Sequence, residues 1–216
     1  MNTTNRGTKI AFQYPFKQKK IEKMFTGLIS MMKLHNPELQ EAAIDEIISC
    51  CEVISFNKND ILVDYGEVCR HVYFSVTGLV TALENVDGKE RNCWFMTAGD
   101  VVIAIESFYK QQKSMEQLLA LEKTTCLAIH VKDLNRLCEK YPSFLEVRLK
   151  LTEYYYQQAF DRSKWIFRSA EERYALLLEH YPVLVNLVSA RALASYLGIS
   201  EGYLSAIKKD YYSISS

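Results

Sequence analysis

Residues 80–95 read VTALENVDGKERNCWF, two runs of strand-forming residues, VTALENV and KERNCWF, joined by Asp87-Gly88. A two-residue hairpin turn demands positive φ, which Gly tolerates and Asp accepts, so this stretch predicts an antiparallel β-hairpin. The same texture extends outward from Cys51 to Val131. Short runs rich in Val, Ile, Tyr, Phe and Thr are broken at Lys58-Asn-Asp60, Tyr65-Gly-Glu67, Thr77-Gly78 and Ala98-Gly-Asp100. Strands are expected over 51–57, 61–64, 72–77, 79–86, 89–96, 101–105, 117–123 and 126–131. Eight short strands at this spacing predict a jelly roll, that is, a double-stranded β-helix or β-roll.

Helical periodicity flanks the roll. Ile21, Met24, Phe25, Leu28, Ile29 and Met32 form one stripe of a short docked helix ending at His35. Asn36-Pro37 offers an N-cap and first-turn proline for a second helix through about Ser49, with Leu39, Ala43, Ile44, Ile47 and Ile48 inward. Beyond Lys132 a short helix reaches 140, and a long one runs from Ser143 to about Phe167. Along the long helix Leu145, Leu149, Thr152, Tyr156, Ala159, Ser163 and Ile166 alternate by four and three, the seam that pairs helices. Ser169-Ala-Glu-Glu172 matches a capping box for a helix ending before Pro182. VLVNLV (183–188) is strandlike, Ser189 caps ARALASYLG, and Ser200 caps EGYLSAIKKD.

With 216 residues, 49% hydrophobic and 24% charged, the composition is that of a globular chain and excludes wholesale disorder and fibrous repeats. The longest apolar run, Val101 to Ile105, is far short of a membrane span. The N-terminal MNTTNRGTKIAFQYPFKQKK has no apolar core of a secretory signal, so a cytoplasmic address is expected. The six cysteines form no C-x-x-C pair and lack zinc-finger histidine spacing, which predicts reduced, structural thiols and no metal site. Net charge is zero but uneven: residues 1–36 carry seven Lys/Arg against one Glu, whereas residues 169–216 carry four against five acidic residues. The basic end is a tail with Arg6, Lys9, Lys17, Lys19 and Lys20, read as a solvated segment able to track phosphates.

Near the C-terminus, Ala194 allows close helix approach, Gly198 supplies a left-handed turn and Leu204 buries the second helix, the mechanical needs of a helix-turn-helix. The stretch ALASYLGISEGYLSAIKK resembles the helix-turn-helix of the Crp/Fnr family of bacterial transcription regulators, a branch of which typically reads IASYLGITPETLSRIRK. Matching marks upstream are Gly66-Glu67, Gly78, Gly88-Lys89-Glu90, Gly99-Asp100, Glu106-Ser-Phe108, Ala120-Leu-Glu122, Ser169-Ala-Glu-Glu-Arg173-Tyr174 and Pro182. Together they cover about residues 37–210.

The resemblance implies an α+β chain: a basic tail and helix (1–36), a cyclic-nucleotide-binding-like sensor roll (37–142), a dimerisation helix (143–168) and a helix-turn-helix domain without a full C-terminal wing (169–216). It also implies a homodimer in which an effector at the roll repositions two recognition helices in successive major grooves. Two departures qualify this. Cyclic AMP binders of the family carry a Glu shortly after Gly-Asp and then an Arg-Ser pair, which grip a phosphodiester. Here VVIAI follows Gly99-Asp100, and Lys113-Ser114 stands nearest to Arg-Ser, so a pocket around these four residues should bind cyclic nucleotides weakly or not at all. The recognition helix carries Glu201, Gly202, Tyr203 and Ala206 where the family places base readers. Ser200, Tyr203, Ser205, Lys208 and Lys209 remain as candidate DNA contacts.

The iron-sulfur branch needs an N-terminal cysteine cluster, absent from residues 1–49, and the four histidines (35, 71, 130, 180) have no haem-ligand context. No G-x-S-x-G, H-E-x-x-H or phosphate loop is present, so no catalytic residue and no cofactor are expected. The function expected is a DNA-binding regulator whose partners are DNA, a second copy and a small-molecule effector, with no membrane. The rival is a ligand-sensing or protein-interaction module whose helix-turn-helix no longer reads DNA.

Overall fold

The hairpin at residues 80–95 forms as the sequence requires. Strands β5 (Val80–Val86) and β6 (Lys89–Met96) pair antiparallel with Val86 opposite Lys89, and Asp87 and Gly88 take φ of 52° and 77°. Both turn positions therefore lie in the left-handed region of a primed hairpin turn. The structure, a computed structural model, describes residues 7–9 and 18–214.

Around this hairpin two antiparallel sheets make up the roll. One has four strands in the order β3 (Ile61–Val63), β8 (Glu116–Ala120), β5, β6. The other has five: β1 (Thr8–Lys9), β2 (Glu52–Phe56), β9 (Thr124–His130), β4 (His71–Thr77) and β7 (Val101–Val102). The eight expected strands are all present. The ninth, β1, comes from the basic tail and pairs Thr8 with Ser55 and Lys9 with Ile54, so this part of the tail is a sheet edge and not a solvated segment. Arg6 and Lys17 lie outside the described residues.

Helices α1 (Gln18–His35), α2 (Glu41–Cys50), α4 (Val131–Lys140) and α5 (Pro142–Ser163) pack on the roll through one continuous core that includes Phe25, Leu28, Met32, Ile47, Leu137, Phe144 and Val147. A single turn of 3-10 helix, Lys164–Phe167, extends α5.

The structure departs from the sequence pattern at three places. The second helix starts at Glu41, not at Asn36: Asn36 Oδ1 accepts from the Glu38 amide at 3.0 Å as a cap would, but the Asn36 carbonyl closes only a turn with the Leu39 amide at 3.2 Å, and the buried side chain's Nδ2 ties that turn to the Ser143 carbonyl at 3.1 Å and to Glu146 Oε2 at 2.9 Å. Residue 105 belongs to helix α3 (Ile105–Lys110), not to a strand, since the chain leaves the sheet after Val102. Residues 183–188 hold a short helix, α7 (Leu184–Leu187), not a strand. A continuous apolar run does not distinguish the two by periodicity, and Pro182 presets a helical φ just ahead of it.

The C-terminal helices are α6 (Ala170–His180), α8 (Ala190–Leu197) and α9 (Glu201–Ile214). The capping box at α6 is complete, with the Glu172 amide donating to Ser169 Oγ at 3.2 Å and the Ser169 amide donating to Glu172 Oε2 at 2.8 Å. Ser189 and Ser200 accept from the amides of Ala192 and Tyr203, each at 3.2 Å. Gly198 turns the chain between α8 and α9 at φ 69°.

These helices do not form a separate core. Leu79 and Phe95 of the roll are buried in the same cluster as Tyr174, Leu177, Leu193, Leu197 and Leu204. The Phe95 and Tyr196 rings lie 5.1 Å apart, and the Asn92 amide donates to Ser195 Oγ at 3.0 Å.

Gly78 and Glu46 put this packing to the test. Gly78, at the turn into β5, has φ 100°, and an added Cβ would lie 2.6 Å from Thr124 Cα and 2.8 Å from the Lys123 carbonyl. Gly78→Ala should therefore cost about 2 kcal/mol or more in urea unfolding, since backbone atoms cannot step aside. Glu46 on α2 takes Lys140 Nζ at 2.5 Å, the Tyr141 hydroxyl at 2.7 Å and the Arg136 guanidinium. Lys140 first, then Tyr141 and Arg136, hold its carboxyl down from the ordinary 4.5 to about 2. A depressed carboxyl pKa stabilises the fold above the unfolded value, and that contribution is lost as pH falls through the folded one. Glu46→Gln should thus be less stable than the natural chain at pH 7, with the gap in urea midpoints closing between about pH 4.5 and pH 2.

Candidate functional site

The roll, α1, α3 and α5 line a cavity of about 470 Å³ that opens to solvent beside α5. Its walls are apolar: Leu28 and Met32 come from α1, Phe74, Trp94, Met96 and Leu127 from both sheets, Phe108 from α3, and Val147 and Leu151 from α5. Among the described residues that line it, only Arg148 and Glu116 are charged. Burial first, then the charges of Glu84 and Glu106, push the Glu116 carboxyl above the ordinary carboxylate range.

Three polar side chains of the cavity, those of Arg148, Tyr109 and Thr152, adjoin one another. The Arg148 guanidinium lies 5.7 Å over the Tyr109 ring, and the Tyr109 hydroxyl is 3.5 Å from Thr152 Oγ1. Arg148 Nη1 donates to Asn135 Oδ1 at 3.1 Å, and among the described residues Arg148 forms no ion pair.

None of the four residues expected around a phosphate pocket lines this cavity. Asp100 Oδ2 accepts from the Thr97 amide at 2.7 Å, and Oδ1 is 3.4 Å from the Tyr155 hydroxyl, which itself takes the Val101 amide at 2.9 Å. Gly99 is an exposed turn residue at φ 97°. Ser114 is buried and closes its own loop, donating to the Glu116 carbonyl at 2.7 Å, and Lys113 is exposed. The sequence reading missed Arg148, Tyr109 and Trp94, because nothing local marks three residues on different elements as neighbours.

The α5 stripe is open to solvent along its whole length: Leu145, Leu149, Thr152, Tyr156, Ala159, Ser163 and Ile166 are all exposed. Thr152, Tyr156 and Ala159 also line the cavity, so the stripe and the cavity share a rim.

On α9, Ser200, Tyr203, Ser205 and Lys209 are exposed, and Lys208 is half-buried. Glu201, Gly202, Ala206 and Asp210 share the exposed surface. The Tyr203 hydroxyl donates to Glu171 Oε1 at 2.6 Å. At the start of α9 a polar cleft of about 640 Å³ brings Ser200 and Glu201 beside Ser195, Arg191 and the hairpin tip Gly88–Arg91. Three cations, Lys89, Arg91 and Arg191, thus meet Ser200, a grouping that sequence spacing does not reveal.

The cysteines are all free thiols. Burial pushes Cys51 and Cys126 up to about 12 and Cys93 to about 11, so these three are not thiolates near neutral pH. Among the described residues no group of three His, Cys, Asp or Glu converges to hold a metal ion, and no helix is long and apolar enough to cross a membrane.

Residues 53–141 match the cyclic nucleotide-binding domain family. No curated protein matches the chain. Among solved structures, FixK2 from Bradyrhizobium japonicum is similar at 19% identity with a TM-score of 0.67, covering 76% of this chain and 86% of its own. The c-di-GMP-responsive global regulator CLP from Xanthomonas campestris has a TM-score of 0.62 at 15% identity, over 82% of this chain and 93% of its own. The catabolite activator protein of Thermus thermophilus, at 18% identity and a TM-score of 0.51, covers 89% of this chain and 88% of its own. The roll thus carries a cyclic nucleotide-binding domain match, and the chain shares its fold with proteins that include a global regulator.

Proposed function

We propose that the chain is a transcription regulator of the Crp/Fnr type, in which the roll senses an effector other than cyclic AMP and α8 with α9 form a helix-turn-helix on DNA. The observation that carries this is a continuous mechanical path. The cavity is walled by α5, and the end of α5 grips α8 through Arg162, whose guanidinium lies 4.5 Å from the Trp165 ring and 4.3 Å from the Tyr196 ring and donates to the Tyr196 carbonyl. A change in the cavity therefore reaches the helix that precedes α9 through packed side chains. Ser200, Ser205, Lys208 and Lys209 are the proposed phosphate contacts and Tyr203 the base or sugar contact, with Arg191 beside them. Against cyclic AMP stand the apolar cavity walls and the structural use of Asp100 and Ser114.

The domains divide, on this reading, as a tail and helix (1–36), sensor (37–142), dimer helix (143–168) and DNA module (169–216). The exposed α5 stripe is the proposed homodimer seam. A second reading, a sensing or protein-interaction module with a degenerate DNA module, draws on one observation: Tyr203 is held by Glu171, and α9 shows Glu201 and Asp210 to solvent.

Retention of random genomic fragments across a salt series separates the two. A regulator should enrich a palindromic site, with log K falling steeply against log salt, and Lys208→Ala with Lys209→Ala should flatten that slope by about one unit for each phosphate no longer neutralised. No retention at low salt would favour the second reading. For the dimer, sedimentation equilibrium at micromolar protein should give twice the chain mass, reduced to one by Leu149→Lys with Tyr156→Lys. A natural chain that stays monomeric would remove the seam.

A further inference from the structure

The cavity supplies its own description of what it holds. Its volume of about 470 Å³ falls within the ~300–1,000 Å³ typical of small-molecule sites. A ~150 Å³ apolar cavity is enough for benzene, so by proportion this one has room for on the order of 18 non-hydrogen atoms. Its body, lined by Met32, Phe74, Met96, Leu127 and Leu151, offers almost nothing for a polar ligand to bond. A purine or a sugar phosphate placed there would lose its water without replacement partners.

One part of the lining is different in kind. Arg148 brings a guanidinium that forms no ion pair among the described residues, Tyr109 a hydroxyl and Thr152 a second hydroxyl, all three lining the cavity and linked to one another. A guanidinium fork with adjacent hydroxyls is suited to a carboxylate.

We propose that the cavity binds a long-chain carboxylic acid of about twelve to sixteen carbons, its chain in the apolar body and its carboxylate on Arg148, Tyr109 and Thr152. The inference rests on the proposed sensor reading only in making this molecule an effector; binding itself is independent of DNA. Because Thr152 also belongs to the α5 stripe, the carboxylate end of the ligand sits against the rim where a second copy would pack.

The test uses the full chain freed of lipid and titrated with dodecanoate. Trp94 lines the cavity and Trp165 lies in the C-terminal cluster, so the expected saturable fluorescence change should vanish in Trp94→Phe. Native mass spectrometry should show one dodecanoate per chain, a readout that does not depend on either tryptophan. Arg148→Gln should weaken dodecanoate at least tenfold and leave dodecanol unchanged, with an unaltered thermal melt showing that the variant folds. Equal binding of acid and alcohol, insensitivity to Arg148→Gln, or no saturable binding of dodecanoate would overturn the proposal. So would displacement of dodecanoate by micromolar cyclic AMP. Dodecanoate binding in a chain that retains no DNA would sustain this proposal while defeating the regulator reading, and retention of DNA without dodecanoate binding would do the reverse.

Discussion

Arg162 fixes the relation between the two ends of the molecule. It stands just before the 3-10 extension of α5, lies against the rings of Trp165 and Tyr196, and donates to the Tyr196 backbone carbonyl at 2.5 Å. A desolvated guanidinium against two aromatic faces and a carbonyl is among the stronger polar contacts a fold can make. Tyr196 in turn meets Phe95 on β6, so a single side chain ties the long helix, the roll and α8 together. The placement of α9 depends on this junction, because only Gly198 and two further residues separate it from α8.

The other end of α5 obeys a different constraint. Phe144 and Val147 are buried against the roll, while the opposite face of the helix is exposed from Leu145 to Ile166. One helix therefore serves as a cavity wall, an unpartnered stripe and the lever ending at Arg162. The Tyr155 hydroxyl, which takes the Val101 amide, pins the middle of this lever to the roll beside the cavity.

Much of the fold was legible because its signals are local. Alternating β-formers and Asp87-Gly88 announce the hairpin, the Ser169 capping box announces α6, and the apolar spacing of Leu28 and Met32 announces α1. The misread segments are those where local signals are ambiguous or overridden. Asn36 makes the bond of an N-cap to the Glu38 amide, but the turn it closes is tied to Ser143 and Glu146, more than a hundred residues away, and the helix begins only at Glu41. The runs at Val101–Ile105 and Val183–Val188 have no period to read, and Thr8–Lys9 becomes a strand only because β2 offers it an edge.

The sequence by itself determined most of the strands of the β-roll, its main flanking helices and the α5 stripe, since each is written in residue type and spacing. Tertiary structure alone decided the character of the cavity, the collar of Arg148, Tyr109 and Thr152, and the meeting of Lys89, Arg91 and Arg191 with Ser200. It also decided that the C-terminal helices share their core with the roll. The physical reason is common to all of these. Each brings together segments tens to a hundred positions apart, and closing such distances is a property of the packed chain, which no local pattern encodes.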